Sequence, residues 1–313
     1  MPLSSDAGAD LAGVVLRVGD QSGLTRSILD SAGEVETPYR IDWSVFTAGP
    51  PMMEALAADA IDIGACGDTP PLFALAGGAP IRIVGALRAS PEYVDLLAPA
   101  GSKATRVADL RGKRVALARG SSAHHLLLAA LNREGMTMAD IRPVYLTPND
   151  AQPAFTHGDV DAWAIWDPFA TNNLRQGAVK VTDGRGLTHG LAFEVTSTKA
   201  LADPVKSRVL ADYLSRLARA EAWGNAHPDV WAAKYATITK LEPDLTRAVL
   251  AHYRPEFVPI DAALEAEEQD VEDAFAAGGV LPARLDVKPI FDARFNGAFA
   301  FTNGPNGAIG KTP

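Results

Sequence analysis

Short apolar runs alternate along this chain with segments whose apolar residues return every three or four positions. Val14 to Gly19 reads as a short buried strand. Arg40 to Phe46 has Ile41, Trp43 and Val45 on one face and Asp42 and Ser44 on the other, the period of a strand with one covered side. Pro50-Pro51 then opens a helix carrying Met52, Met53 and Leu56, proline being suited to a first turn. Ile61 to Ala65 and Ile81 to Leu87 are again short, apolar and partly β-branched. Strand signals separated by helix signals predict α/β layers around a largely parallel sheet.

A second set of such units begins near Tyr93. Asp109-Leu110-Arg111-Gly112-Lys113 is a turn feeding a strand from Arg114 to Ala118, and an apolar helix from His124 to Glu134 stops at Gly135. Pro143 to Leu146 and Asp161 to Trp166 supply further strands. Beyond Ser197 the spacing turns helical, with Val209, Tyr213, Leu217 and Ala220, then Trp231, Tyr235 and Ile238, then Leu245, Val249 and Tyr253. No tandem repeat is visible. The Gly- and Asn-rich stretch from Asn303 to Pro313 reads as a loose tail.

Two α/β lobes in one chain make the gap between them the natural ligand site, because open sheets bind ligands beyond their strand carboxyl ends. The chemistry is then expected in the loops after Val18, Phe46, Ala65, Ala118 and Trp166. Gly67-Asp68-Thr69-Pro70-Pro71 can cap the following helix and also offer the Thr69 hydroxyl and free N–H groups to an anion. Gly120-Ser121-Ser122-Ala123-His124-His125 repeats the pattern of glycine, two hydroxyls and a helix start. No lysine follows the glycine, which argues against a nucleotide phosphate. Adjacent histidines on a helix do not face the same way, so a shared metal ion is not expected, and one ring should pack inward while the other is wet. Trp166-Asp167-Pro168-Phe169 closes a strand and could wall an apolar ligand or simply pack. Thr47-Ala48-Gly49-Pro50 and Gln21-Ser22-Gly23 supply small donors and permissive backbone.

Charge and cysteine content narrow the partners. The 313 residues carry 29 basic against 38 acidic side chains, a formal charge of −9, which disfavours nucleic acid and anionic membrane. The acidic cluster Glu265, Glu267, Glu268, Asp270, Glu272, Asp273 reads as a solvated helix face. The lone cysteine, Cys66, rules out an internal disulfide, and its expected role is that of a small buried hydrophobe. No run approaches the ~20 apolar residues of a membrane span. The opening Met1 to Asp6 has neither the basic nor the apolar region of a signal peptide.

Phe46-Thr47-Ala48-Gly49-Pro50-Pro51, Ile61-Asp62-Ile63-Gly64, Gly67 to Pro71, Gly120 to His124 and Asp161 to Pro168, taken in this order, resemble the aliphatic-sulfonate-binding proteins of ABC importers. The resemblance runs from about Leu16 to beyond Phe193 and implies a two-lobed type II periplasmic-binding-protein fold with a ligand cleft between the lobes. It implies lobe 1 from 14–92 plus 192–313 with the C-terminal helices, lobe 2 from 93–191, and two crossings that act as a hinge. Sulfonate oxygens would then sit between Thr69 and Ser121, assisted by the N–H groups of Ser122 and Ala123. Trp166 and Phe169 would contact the organic tail, and Asp68 and Asp167 would orient donors, cap helices or hold an amino group. Gln21, Thr47, Gly49 and His124 complete the implied contacts. The segment between Gly23 and Tyr39 reads as short and polar where the family has an apolar helix.

The function implied is extracytoplasmic capture of an organosulfonate anion by a monomer that delivers it to an ABC permease and its ATPase, with no cofactor, metal or catalytic residue. Relatives that bind taurine, nitrate or another small anion leave the ligand open, and a sensor or transport-accessory domain that binds the same ligand without feeding a permease leaves the transport role open. A desulfinase-like enzyme using Cys66 as nucleophile is the alternative of a different class.

Overall fold

A computed structural model of the chain describes residues 11–299. The opening and the tail singled out above lie outside them. The first half builds β1 (Val15–Gln21), α1 (Leu24–Ser31), β2 (Arg40–Phe46), α2 (Gly49–Ala57), β3 (Ile63–Gly67), α3 (Thr69–Ala76) and β4 (Ile81–Arg88). The middle holds β5 (Val94–Ala98), β6 (Arg114–Leu117), α4 (Ser122–Arg133), β7 (Arg142–Tyr145), α5 (Pro148–Thr156), β8 (Ala162–Trp166), α6 (Phe169–Arg175) and β9 (Val179–Asp183). The remainder comprises β10 (Leu191–Ser197), α7 (Thr198–Ala202), α8 (Pro204–Ala226), α9 (Pro228–Thr239), α10 (Pro243–His252), β11 (Glu256–Val258) and α11 (Ala262–Ala277).

Among the described residues two sheets form, in the orders β11-β4-β10-β3-β1-β2 and β7-β6-β8-β5-β9. β1 runs parallel to β2 and β3, and β6 parallel to β7 and β8. β10 returns antiparallel between β3 and β4, β11 is antiparallel to β4, and β5 is antiparallel to β8 and β9. The sheets are therefore mixed, not largely parallel. The chain passes from one to the other twice, between β4 and β5 and between β9 and β10. The carboxyl ends of β1, β3 and β4 share one edge of the first sheet, which is the edge where open sheets take ligands.

Each sheet has its own core. Leu16 and Val18 of β1 pack with Ile28, Tyr213, Leu217, Trp231 and Tyr235 under the C-terminal helices. In the second sheet Trp163 is 1% exposed, its ring centroid 5.6 Å from Phe155 and 5.7 Å from Phe169. Burying rings of this size contributes much of the packing energy, and their edge and tilted contacts add to it.

Three local expectations are corrected. The segment after Gly23 is not a short polar link but α1, whose polar residues are used inward. Asp20 accepts the Thr25 N–H at 3.0 Å and the Arg26 N–H at 3.3 Å, closing its first turn, and Ser27 Oγ accepts from Trp231 Nε1 at 2.9 Å. Val45 is 70% exposed, since β2 is an edge strand whose far end is not covered by any of the described residues. The acidic cluster on α11 is not wholly solvated, because Glu268 and Glu272 lie on the buried face with Leu264, Val271 and Phe275.

Candidate functional site

A cavity of about 110 Å³ opens at the strand ends between the two sheets. A single water needs only ~10–15 Å³ by the same measure, so there is room for a small organic ligand. From the first sheet come Gln21 at the end of β1, Ala65 to Gly67 at the end of β3, Leu87 on β4, and Ala192 and Glu194 on β10. From the second come Trp166 at the end of β8 with the adjoining Asp167, and Tyr93 at the start of β5. Thr25 of α1, Glu221 of α8, Tyr235 of α9, and Val249 and Tyr253 of the α10 region complete the wall. No lysine or arginine is among the described lining residues. Among the described residues, Trp166 Nε1, Glu194 Oε2 and Glu221 Oε2 of the lining side chains are buried without a hydrogen-bond partner.

Of the residues expected at the site, Gln21, Trp166 and Asp167 line this cavity. The hydroxyl-rich loops stand just behind its wall instead. Ser122, at the start of α4, bonds with the Tyr93 hydroxyl and with Asp68, and its Oγ lies where a Cβ on Gly67 would be, 1.9 Å from that position. Thr69 does not point its hydroxyl at the cavity but donates it to Asp68 at 2.8 Å, and Ser121 donates its own to the Ala118 carbonyl at 2.7 Å. Ala123 is fully buried, and Gly49 faces Pro70, whose Cγ is 2.5 Å from where a Cβ would be. Thr47 is half-buried outside the lining, and Phe169 packs on Trp163. These neutral hydroxyls and the free N–H groups of the α4 start therefore form a second layer next to Gly67 and Tyr93.

Both histidines are buried, which corrects the expectation that one would be wet. His124 accepts from the Gly120 N–H at 3.3 Å and sits among Phe73, Tyr145 and Phe275. Burial, with the nearby Arg119, pulls its pKa down to about 4, so the ring is neutral. His125 Nδ1 meets Asp68 Oδ2 at 2.7 Å. Burial pushes the Asp68 carboxyl up, but His125, Thr69 and Ser122 together bring it below the ordinary value. On the other side of the cavity His252 Nε2 meets Asp167 Oδ2 at 2.6 Å, and this bond raises the His252 pKa. Asp68 belongs to the loop after β3 and His125 to α4, while Asp167 follows β8 and His252 ends α10. Each sheet thus contributes one acid and receives one histidine from elements of the other.

Cys66 is 4% exposed, and burial followed by the nearby carboxyls Glu194, Glu268 and Asp68 pushes its thiol well above the usual range. That environment opposes a thiolate, which needs a positive field or a base. Among the described residues no group of three or more His, Cys, Asp and Glu is arranged to hold a metal ion.

The sequence reasoning missed Glu194, Glu221, Tyr93, Tyr235 and Tyr253. Glu194 could have been noticed, since it interrupts the apolar strand Leu191 to Val195. The two helical tyrosines carry the same spacing as core residues and give no separate signal.

Comparison with known proteins follows the same lines. Residues 49–190 match the family model described as NMT1/THI5 like. Over 279 residues the chain is 36% identical to an Escherichia coli K12 protein named as an aliphatic-sulfonates-binding protein, covering 87% of each chain. The crystal structure of the periplasmic aliphatic sulphonate binding protein SsuA from Escherichia coli superposes with a TM-score of 0.77 at 34% identity, over 88% of this chain and 96% of that one. The alkanesulfonate-binding protein SsuA from Xanthomonas axonopodis pv. citri, bound to MOPS, gives 0.80 at 34% identity, over 89% and 98%.

Proposed function

Since the chain belongs to the family of aliphatic-sulfonate-binding proteins, we propose that it captures an aliphatic sulfonate and delivers it to an ABC importer. Its fold is the two-lobed α/β periplasmic-binding-protein fold of the SsuA structures. We take 14–92 with 192–313 and 93–191 as the two lobes, and the protein as a monomer working in the periplasm or at the outer face of the membrane. It is a solute-binding protein and not an enzyme, and the buried, proton-holding Cys66 agrees with that.

The observation that carries this reading is a cavity walled from both sheets, with the unpaired indole N–H of Trp166 and the amide of Gln21 in its lining. A sulfonate is a permanent anion that only accepts hydrogen bonds. Neutral donors suit it, as do the helix-start N–H groups of Ser122 and Ala123 if they are reached through the Gly67–Tyr93 wall. Leu87, Val249 and the tyrosine rings offer apolar surface for a short alkyl chain. The contacts Asp68–His125 and Asp167–His252 join the lobes on either side of the ligand.

The reading is tested by thermal shift against alkanesulfonates, taurine, sulfate, nitrate and phosphonates. Saturation at about 100 times Kd adds ~2.7 kcal/mol of stability. The largest shift is expected from a sulfonate. Nitrate or sulfate at the top of the panel would remove the sulfonate and leave the fold.

A further inference from the structure

The two lobes touch beside the cavity in two unlike ways. On one side Leu72 of α3, Leu128 of α4, and Val271 and Phe275 of α11 share an apolar cluster. Asp68 and His125 meet next to it, their side chains 3% and 6% exposed, with the His125 ring 6.3 Å from that of Phe275. On the other side α10 meets the loop after β8 through His252 and Asp167, 29% and 7% exposed. Parting the first side would bring apolar surface into water, whereas the second is a polar contact that water can replace. Asp167 is fixed for this contact. Its Oδ1 accepts the Thr171 N–H at 2.9 Å and its own N–H donates to the Tyr93 carbonyl at 3.1 Å, while Oδ2 takes His252 Nε2 at 2.6 Å. His252 is the last residue of α10, and the carbonyl end of a helix favours a cation.

We propose that His252 is a positioning residue for ligand capture, a protonated latch that ties α10 of one lobe to Asp167 of the other and slows release of the bound ligand. The proposal rests on the two-lobed solute-binding reading and holds whichever anion is bound. The charges around the ring single out Asp167. Of the elements packed on α10, α9 carries Asp229, Tyr235 and Lys234, α6 carries Arg175, and the turn Pro91–Tyr93 carries Glu92 and Tyr93. Lys234 is paired with Asp30 at 2.7 Å and Glu92 with Arg185 at 3.1 Å. Asp95 on β5 and Lys180 on β9, which act on the ring in opposite senses, are themselves joined at 2.7 Å. The bond to Asp167 outweighs burial and raises the His252 pKa above its ordinary 6.5 while the lobes are in contact. The latch is therefore complete below about pH 6.5 and is lost as pH rises through the raised value.

Butane-1-sulfonate, whose charge does not change with pH, is the probe. Between about pH 6 and about pH 8.5 the unmodified protein is expected to lose roughly 10-fold in affinity beyond any loss in His252→Ala, the gap between a hydrogen bond to a charged group and one to a neutral group. Glu194 and Glu221, raised to about 8, titrate in both proteins, so the comparison removes their effect. His252→Lys keeps a cation throughout this range and should restore the affinity without the added pH dependence. It also decides alone, by that missing dependence, if His252→Ala does not fold. In Asp167→Asn the further change His252→Ala should cost less than about 3-fold, because the partner is already gone. Stopped-flow mixing should place the loss in the dissociation rate, since a latch acts after the ligand has entered. A loss confined to the association rate would mark long-range attraction of the anion by the imidazolium and overturn the latch. Equal pH profiles in the unmodified protein and His252→Ala overturn it too, as does the full cost of His252→Ala in Asp167→Asn. If butane-1-sulfonate does not bind, the sulfonate reading falls, and the best ligand of the thermal-shift panel judges the latch in the same comparison.

Discussion

Gly67→Ala is the most incisive perturbation the structure offers. A Cβ at this position would lie 1.9 Å from Ser122 Oγ, 3.2 Å from Ser122 Cβ and 3.4 Å from the Tyr93 hydroxyl. Only the first contact is impossible, and relieving it needs a separation of more than ~1 Å against ordinary van der Waals distances. Ser122 Oγ cannot simply swing away, because it is bonded to Asp68 and to Tyr93. Overpacking of this kind costs about 1–3 kcal/mol, and each bond given up costs about 1 kcal/mol more. Gly67 ends β3 and Ser122 begins α4, so the clash lies between the two lobes, and moving them apart relieves it. The penalty of about 2–4 kcal/mol should therefore appear in ligand affinity, as roughly a 30- to 700-fold loss, and hardly at all in the melting temperature of the unliganded protein. Isothermal calorimetry and a thermal melt read the two separately. Adding Ser122→Ala to Gly67→Ala removes the offending oxygen and leaves a tolerable 3.2 Å contact, so the double variant should recover most of the affinity. Undiminished binding by Gly67→Ala, or a double variant no better than the single, would refute the reasoning.

Three further outcomes are expected. Glu194 and Glu221 hold their protons up to about pH 8 in the folded protein, whereas the unfolded chain gives them up near 4.5, so folding takes up protons across that window. Stability should then fall by about 2 kcal/mol or more as pH rises from about 6.5 to about 8.5, a range that avoids the opposite effect of His124 below it, and Glu194→Gln/Glu221→Gln should flatten a melting curve series. Cys66 should react with iodoacetamide far more slowly in the native protein than in denaturant, and fast native labelling would reopen the question of a nucleophile. Glu268 has both oxygens buried and unpaired among the described residues, so Glu268→Gln should raise stability at about pH 8 by about 1 kcal/mol, and a drop in chemical denaturation midpoint would show that the carboxyl is held by a partner.

How much of this could be read from the chain depends on where each signal lies. The alternation of short apolar runs with helical spacing marks β1 to β4 and β6 to β8, most strongly the central strands β1, β3, β4, β6 and β8, which are largely buried, whereas β2 and β7 lie at sheet edges and show only their alternation or their turn neighbours. The loops after β1, β3 and β8 also announce themselves, and Gln21, Trp166 and Asp167 do line the cavity. The hydroxyls of Thr69 and Ser121 look like free donors in the sequence, but the structure turns them onto Asp68 and the Ala118 carbonyl. Polar residues with internal partners misled the reading of α1, since nothing local says that Ser27 meets Trp231 some two hundred positions later. The buried face of α11 was legible after all. Leu264, Glu268, Val271 and Phe275 recur at helical spacing, and only the charge of Glu268 hid it. Glu221, Tyr235 of α9 and Tyr253 just after α10 reach the cavity through tertiary packing alone.

The place of β10 has a consequence for how the molecule is made. The five-stranded sheet is one unbroken stretch, from Val94 to Asp183, and can assemble as soon as it leaves the ribosome. The six-stranded sheet cannot. Gly64 and Ile83 both wait for Val195, so β3 and β4 stand with open edges while the whole intervening lobe is synthesised. Such long-range pairing is slow, and unpaired edges invite other chains. In pulsed hydrogen exchange during refolding, protection should come first to β5–β9 and last to β3 and β4, a schedule that early protection of β3 would contradict. The lobe that holds most of the cavity wall is thus the one that matures last, and until Leu191 to Ser197 slots home the nascent chain has neither a finished sheet nor a place for its ligand.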